Sequence, residues 1–135
     1  HVRFHEFYVD KQDSAAAATI FEQWSRLPID ERPTLQVLTH QTAAFFLKLL
    51  NENGLRCPDD VSVLTNVESF ACRVTSPPLS VLSLDEAKHG ELAAETLIDH
   101  LKNHTPLASR EIDVPLKRID RQSVGEPPTT VQSMR

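Results

Sequence analysis

The sequence predicts an α/β fold in which a parallel β-sheet is built from strands that alternate with helices. Short runs rich in apolar and β-branched residues recur along the chain and have strand character. Longer segments between them place apolar residues every three to four positions, the period of an amphipathic helix. The resulting order is β-α-β-α-β-β-α-β, and strands separated by helices call for a parallel sheet with right-handed crossovers.

The strands are predicted at residues 2–9, 35–38, 61–64, 79–82 and 112–119. The first helix is expected to begin at an N-cap of Asp13 or Ser14, since both side chains can accept hydrogen bonds from the first turn. Its apolar stripe consists of Ala17, Ile20, Phe21, Trp24 and Leu27. A loop bracketed by Pro28 and Pro33 leads to the second strand.

The second helix is predicted at about residues 42–53 and ends at Gly54, a suitable residue for a left-handed position after a helix. Residues 69–78 are expected to form a loop. The last helix, about residues 85–102, follows Ser83-Leu84-Asp85-Glu86, which has the S-x-x-E spacing of a capping box. Its apolar face comprises Ala87, Gly90, Ala94, Leu97, Ile98 and Leu101.

Phe45 and Leu49 form a second apolar stripe on the second helix, beside the one that would face the sheet. A helix lying on a sheet needs to bury only one such stripe. Two explanations stay open: contact with another subunit, which would make the protein a homodimer, or cover by a local loop.

Composition excludes several classes of protein. The 135 residues carry 14 basic and 19 acidic side chains, a net charge of −5 with no basic stripe, which disfavours nucleic-acid binding by these residues alone. No apolar run approaches the length of a membrane span, and the two cysteines make no disulfide framework, so we expect a cytoplasmic protein. The three glycines cannot form a phosphate-binding glycine loop, and the sequence lacks the G-x-S-x-G motif of a nucleophile elbow.

The candidate functional residues follow predicted strands. In parallel sheets, ligands bind beyond the carboxyl ends of the strands. The polar residues at those positions are Asp10, Thr39, His40, Asn66 and Glu68. The alternative is that they are ordinary capping or loop residues.

The sequence gives little support for a metal site or a cofactor site. His100 and His104 stand four apart on a helix, but no third ligand lies nearby in the sequence, so we expect neither a metal site nor a cofactor. Cys57 and Cys72 have no evident activating base. An enzyme using His40 as a general base would need a nucleophile or metal that the sequence does not supply.

Four collinear segments resemble the lactose/galactose-repressor (LacI/GalR) family. Residues 54–63 (GLRCPDDVSV) are similar to G-L-x-V-P-x-D-V-S-V, and residues 76–81 (SPPLSV) to S-P-P-L-T-T-V. Residues 90–97 (GELAAETL) are similar to G-x-x-A-A-E-x-L, and residues 121–123 (RQS) to R-x-S. The resemblance runs from about residue 34 to 128, and more loosely back to Val2.

The resemblance implies a three-layer α/β/α lobe of a periplasmic-binding-protein-like type I fold, present as an incomplete fragment. Residues 1–128 would be the C-terminal lobe of an effector-binding core and residues 129–135 a tail. The helix at 85–103 is expected to pack on a missing N-terminal lobe, or to be buried by domain swapping or a dimer contact. Because the chain starts at His1 and enters a strand directly, we expect a piece of a longer protein. DNA would be bound only through a headpiece elsewhere.

The function implied is that of a transcriptional regulator whose two lobes close on a carbohydrate-like small molecule. Two departures bear on the effector. The family's A-N-D is Leu38-Thr39-His40 here, and its G-[FY]-D-D is Thr65-Asn66-Val67-Glu68, so two acids are replaced. The alternatives are a solute-binding protein of the same fold and a regulator core that only dimerises.

Overall fold

The computed structural model describes residues 5–9, 13–103 and 112–127, which form a four-stranded sheet with four α-helices. The helices are α1 (Ser14–Arg26), α2 (His40–Glu52), α3 (Phe70–Val74) and α4 (Glu86–Asn103). The strands are β1 (Leu35–Leu38), β2 (Ser62–Thr65), β3 (Ser80–Ser83) and β4 (Lys117–Ile119), and Ile29–Glu31 form a 3₁₀ turn.

The sheet has the order β1-β2-β3-β4. β1 pairs with β2 in parallel, with Leu38 opposite Thr65, and β2 pairs with β3 in parallel. β4 is antiparallel to β3, which corrects the prediction of an all-parallel sheet. Hydrophobic periodicity marks a strand but not its direction, and antiparallel edge strands on parallel sheets are common. The predicted α/β class is confirmed.

The core lies between the sheet and the helices α1 and α2. Trp24 and Phe46 are fully buried, and their rings meet edge to face with centroids 6.3 Å apart. The Trp24 indole donates to the carbonyl of Pro33 at 3.0 Å, so its one polar atom is satisfied. Val63 and Val81 supply the sheet side of this core. The predicted N-cap also forms: the Asp13 carboxylate accepts from the amides of the first turn.

The first predicted strand is wrong for the part of it that the structure describes. Residues 5–9 have no strand pairing, although Phe7 and Val9 pack against the core. A strand needs a neighbouring ladder as well as suitable side chains, and the described residues give this segment none. Residues 1–4 and Asp10 lie outside the described part of the chain.

Other boundaries also differ from the predictions. The last strand was predicted at residues 112–119, but only Lys117–Ile119 pair with β3, and residues 112–116 have no strand structure. β2 and β3 each lie one residue later than predicted. α2 begins two residues early, at His40, and the loop at 69–78 contains the short helix α3. The capping box does not form. Asp85 has a φ of 51°, its amide bonds the Ser83 hydroxyl at 3.2 Å, and its carboxylate accepts from the amide of Lys88 at 3.4 Å.

The second apolar stripe of α2 and the apolar face of α4 have different environments. Leu49 is half-buried and packs against the core, whereas Phe45 is 43% exposed. α4 has no buried residue, and Leu97, Ile98 and Leu101 are all about half-exposed or more. The dimer contact of Phe45 and Leu49 stays a prediction.

Candidate functional site

The predicted site residues that are described lie beyond the carboxyl ends of two adjacent strands. Because Leu38 stands opposite Thr65 in the parallel register, Thr39 and Asn66 leave the sheet at the same level. His40 and Glu68 follow within two residues. The topology therefore brings four of the five predicted residues to one edge of the sheet, and the fifth, Asp10, lies outside the described residues.

The start of α2 forms one side of this edge. Thr39 occupies the N-cap position, but its hydroxyl donates to the Thr42 hydroxyl at 3.1 Å and makes no cap bond to the backbone. His40 is half-buried in the first helical position. Its Nδ1 atom is buried and has no hydrogen-bond partner among the described residues. Buried polar atoms are almost always paired in folded proteins, so this atom is an unused donor or acceptor.

Glu68 forms the other side and is held by two arginines. Its Oε1 atom accepts from Arg121 at 2.8 Å and from Arg73 at 2.9 Å. The hydrogen bond from Arg121 holds the pKa of the Glu68 carboxyl below its usual range, with Arg73 acting in the same direction and partial burial opposing both. The carboxylate is therefore ionised at neutral pH, and its Oε2 atom is buried without a partner in the described structure.

Arg121 and Ser123 fasten this edge to the sheet. The Arg121 guanidinium also donates to the carbonyl of Leu79 at 2.6 Å. Ser123 is fully buried, and its hydroxyl donates to the Val63 carbonyl at 2.6 Å and accepts from the Ser80 amide at 2.8 Å. Ser123 thus bridges β2 and β3, and Arg121 holds the Glu68 carboxylate beside them.

Sequence analysis missed two residues that contact Glu68, and other residues at this edge have ordinary structural roles. Arg73 and Arg121 were not predicted to face Glu68. Arg73 is five residues away but was assigned to a loop of undefined conformation, and Arg121 is 53 residues away and was singled out only by the R-x-S match. Asn66 is exposed. The carbonyl of Val67, which stands where the family has an acid, accepts from the buried Cys72 thiol at 3.4 Å.

Cys57 is half-buried and its thiol is hydrogen-bonded to the backbone. Burial raises the pKa of the Cys57 thiol to about 11, and the thiol donates to the Ser123 carbonyl at 3.3 Å. Across residues 5–9, 13–103 and 112–127, no three His, Cys, Asp or Glu side chains form a group that could hold a metal ion. The helices within those ranges include none with the length and apolar character of a membrane span.

Comparison with known proteins identifies the family and the fold. Residues 1–124 match the family model for a periplasmic binding protein-like domain. The ribose operon repressor of Haemophilus influenzae is 35% identical over 80 residues, covering 58% of this chain and 24% of the repressor. This chain thus spans about a quarter of that relative's length.

Solved structures show the same fold. A LacI family transcriptional regulator from Bifidobacterium animalis subsp. lactis superposes with a TM-score of 0.73 at 23% identity, covering 87% of this chain and 42% of that one. A LacI family regulator from an Arthrobacter species, in complex with lactose, superposes with a TM-score of 0.66 at 24% identity, covering 83% and 40%. The periplasmic-binding-protein-like fold of the lobe is thereby confirmed.

Proposed function

This chain belongs to the periplasmic binding protein-like domain family, as an effector-binding core of the LacI/GalR type, and from this premise we propose that it is the sensing lobe of a cytoplasmic transcriptional regulator. Its ligand is a carbohydrate-like small molecule bound at the carboxyl ends of β1 and β2. DNA is contacted by a headpiece elsewhere in the regulator, not by this acidic lobe.

One observation carries the proposal. His40 Nδ1 and Glu68 Oε2 are buried polar atoms without a partner in the described structure, and they follow neighbouring parallel strands. Leaving such atoms unpaired costs about 1–3 kcal/mol each, and more for a charged group. A ligand that carries hydroxyl groups would remove this cost at both positions.

The chemistry of the two groups favours a polyol. The ionised Glu68 carboxylate accepts hydrogen bonds only, and charge-assisted bonds to ionised groups are about twice as strong as neutral ones. A ring nitrogen of His40 can donate or accept a hydrogen bond, and so can a sugar hydroxyl. The LacI-type neighbour solved with lactose supports a carbohydrate as the ligand class.

Signalling follows from closure of a second lobe over this edge. A ligand that contacts both lobes binds the closed arrangement more tightly and shifts the population toward it. The exposed apolar face of α4, at Leu97, Ile98 and Leu101, would pack on that second lobe. Phe45, exposed on α2, would contribute with Leu49 to a homodimer interface.

The test follows backbone amide resonances of the ¹⁵N-labelled chain during titration with ribose, galactose, lactose and cellobiose. We expect at least one sugar to shift the amides of residues 39–41 and 66–68 and to leave those of α4 unmoved. Glu68→Gln should weaken that binding about tenfold or more, since a bond to a charged group is worth about 1.5–3 kcal/mol.

Glu52→Gln is the matched control. Glu52 is exposed at the far end of α2 and pairs only with Lys48, at 3.6 Å, among the described residues, so this variant should bind as the unmodified chain does. Equal affinity in Glu68→Gln and Glu52→Gln would refute the assignment of Glu68. If no sugar shifts any of these amides, both in this chain and in the complete regulator, the core serves in dimerisation only and the sensing function is wrong.

A further inference from the structure

Two arginines bind the same oxygen of the Glu68 carboxylate. The Oε1 atom accepts from Arg73 Nε at 2.9 Å and from Arg121 Nη2 at 2.8 Å, whereas Oε2 is buried and has no partner among the described residues. A carboxylate oxygen offers two lone pairs to hydrogen-bond donors. Both lone pairs of Oε1 are therefore used, and a further donor can be bound only at Oε2.

The side chain of Glu68 does not by itself fix the plane of its carboxylate. The last torsion of a glutamate is broad and roughly two-fold, so the two oxygens can exchange places at little cost. External hydrogen bonds must therefore decide which oxygen is left for a ligand. Within the described part of the chain, Arg73 and Arg121 supply these bonds.

The two arginines differ in how firmly they are held. Arg121 is mostly buried, and it also donates from Nη1 to the Leu79 carbonyl at 2.6 Å and from its amide to the Ser80 hydroxyl at 2.9 Å. A carboxylate that met Arg121 alone could still turn about that single contact. Arg73 supplies the second contact, and the two contacts together fix the plane of the carboxylate.

Arg73 is carried by α3, which the buried Cys72 fastens to the neighbouring backbone. The Cys72 thiol donates to the Val67 carbonyl at 3.4 Å, and the Cys72 carbonyl accepts from the Leu79 amide at 2.7 Å. The side chain of Arg73, the next residue, is 65% exposed. Because exposed ion pairs add little to stability, we expect the contact with Glu68 to contribute little to the stability of the fold.

We propose that Arg73 is a positioning residue for effector binding: together with Arg121 it occupies Oε1 of Glu68 and thereby leaves Oε2 facing the ligand. This inference rests on the proposed function, because Arg73 acts only through the bond between Glu68 and a ligand hydroxyl. Arg73 on α3 and Arg121 after β4 are the charged groups that lower the pKa of the Glu68 carboxyl, and both stabilise its ionised form, which only accepts hydrogen bonds.

The test compares Arg73→Met, Arg73→Lys and Arg26→Met in the complete polypeptide encoded by the gene. Methionine keeps an unbranched stem without the charge. Lysine restores a charged donor on a flexible stem, which suffices because Arg73 bonds Glu68 through one nitrogen. Arg26 is the matched control, since its side chain is 75% exposed on α1 and pairs with Glu22.

Binding of ribose, galactose, lactose and cellobiose is measured by isothermal titration calorimetry. For a sugar that binds the unmodified polypeptide, we expect Arg73→Met to bind about fivefold more weakly, a smaller loss than in Glu68→Gln because the carboxylate is kept. Arg73→Lys and Arg26→Met should bind within about twofold of the unmodified polypeptide. All three variants should melt within about 2 °C of it, because the pairs that they alter are exposed.

A carbon-13 NMR titration of the Glu68 carboxyl, recorded without sugar, gives a second readout. Loss of Arg73 should raise the pKa of Glu68, and loss of Arg26 should leave it unchanged.

Equal sugar affinity in Arg73→Met and Arg26→Met would overturn the positioning role and leave the proposed function intact. An unchanged Glu68 pKa in Arg73→Met, or a loss of affinity that Arg73→Lys does not restore, would overturn it as well. A fall of more than about 5 °C in the melting temperature of Arg73→Met would assign Arg73 a structural role instead. If no sugar binds the unmodified polypeptide, the proposed function itself fails, and the positioning role fails with it.

Discussion

Removing one hydroxyl, in Ser123→Ala, should destabilise the protein more than its size suggests. The side chain is fully buried, and its Oγ atom joins two strands by donating to the Val63 carbonyl and accepting from the Ser80 amide. Alanine keeps the backbone of residue 123 in place, but its side chain can neither donate nor accept a hydrogen bond. Water cannot reach the site easily, because Val63 and Ser80 are themselves buried.

The magnitude follows from the two groups that lose a partner. A buried amide or carbonyl left unsatisfied costs about 1–3 kcal/mol, so the free energy of unfolding should fall by roughly 2–6 kcal/mol. The unfolding entropy of a chain of 135 residues is about 0.28 kcal/mol/K near 60 °C. The melting temperature should therefore drop by about 7–20 °C.

Thermal and urea unfolding followed by circular dichroism measure this change. Ser14→Ala is the matched control, since Ser14 is exposed at the first position of α1 and should change stability by no more than about 0.5 kcal/mol. If Ser123→Ala melts within about 2 °C of Ser14→Ala, the Ser123 hydroxyl does not stabilise the pairing of β2 with β3, and the role assigned to residues 121–123 is wrong.

Two further predictions use the electrostatics of the chain. The hydrogen bond from Arg121 lowers the pKa of the Glu68 carboxyl in the folded chain below its value in the unfolded chain, about 4.3. The ionised carboxylate therefore stabilises the fold fully above the unfolded pKa, and this stabilisation is lost as the pH falls through the lower folded pKa. Glu68→Gln should thus be less stable than the unmodified chain at pH 7, with the difference shrinking below about pH 4 in urea titrations; a constant difference would contradict the pairing. Cys57, with a pKa of about 11, should react with iodoacetamide at pH 8 far more slowly in the native chain than in urea, and equal rates would show that the thiol is accessible.

Local sequence patterns predicted the elements whose partners are close in sequence. The stripe from Ala17 to Trp24 predicted α1 because helical periodicity and an N-cap at Asp13 are both local properties. β1 was predicted at the residues where it is found. The failure at residues 5–9 has the opposite cause, since strand formation depends on a ladder that residues distant in sequence must provide.

The candidate site was predictable in position but not in detail. The carboxyl ends of parallel strands meet at one edge, so Thr39, His40 and Glu68 could be grouped from the order of elements alone. The ion pair of Glu68 with Arg121 joins residues 53 apart in sequence, and nothing local to either predicts it. Only the structure shows that His40 and Glu68 each retain a buried atom without a described partner.

The exposed surfaces of the lobe differ in the kind of cover they require. Most helices in proteins are stabilised by packing of one face, yet α4 has 18 residues and none of them is buried. Leu97, Ile98 and Leu101 offer side chains, and a second lobe can cover these without forming backbone bonds. The outer edge of β1 instead offers backbone N–H and C=O groups that are unpaired within the described sheet, and side-chain packing does not satisfy these. Packing of a second lobe on α4 would therefore cover apolar side chains and leave the backbone edge of β1 unchanged.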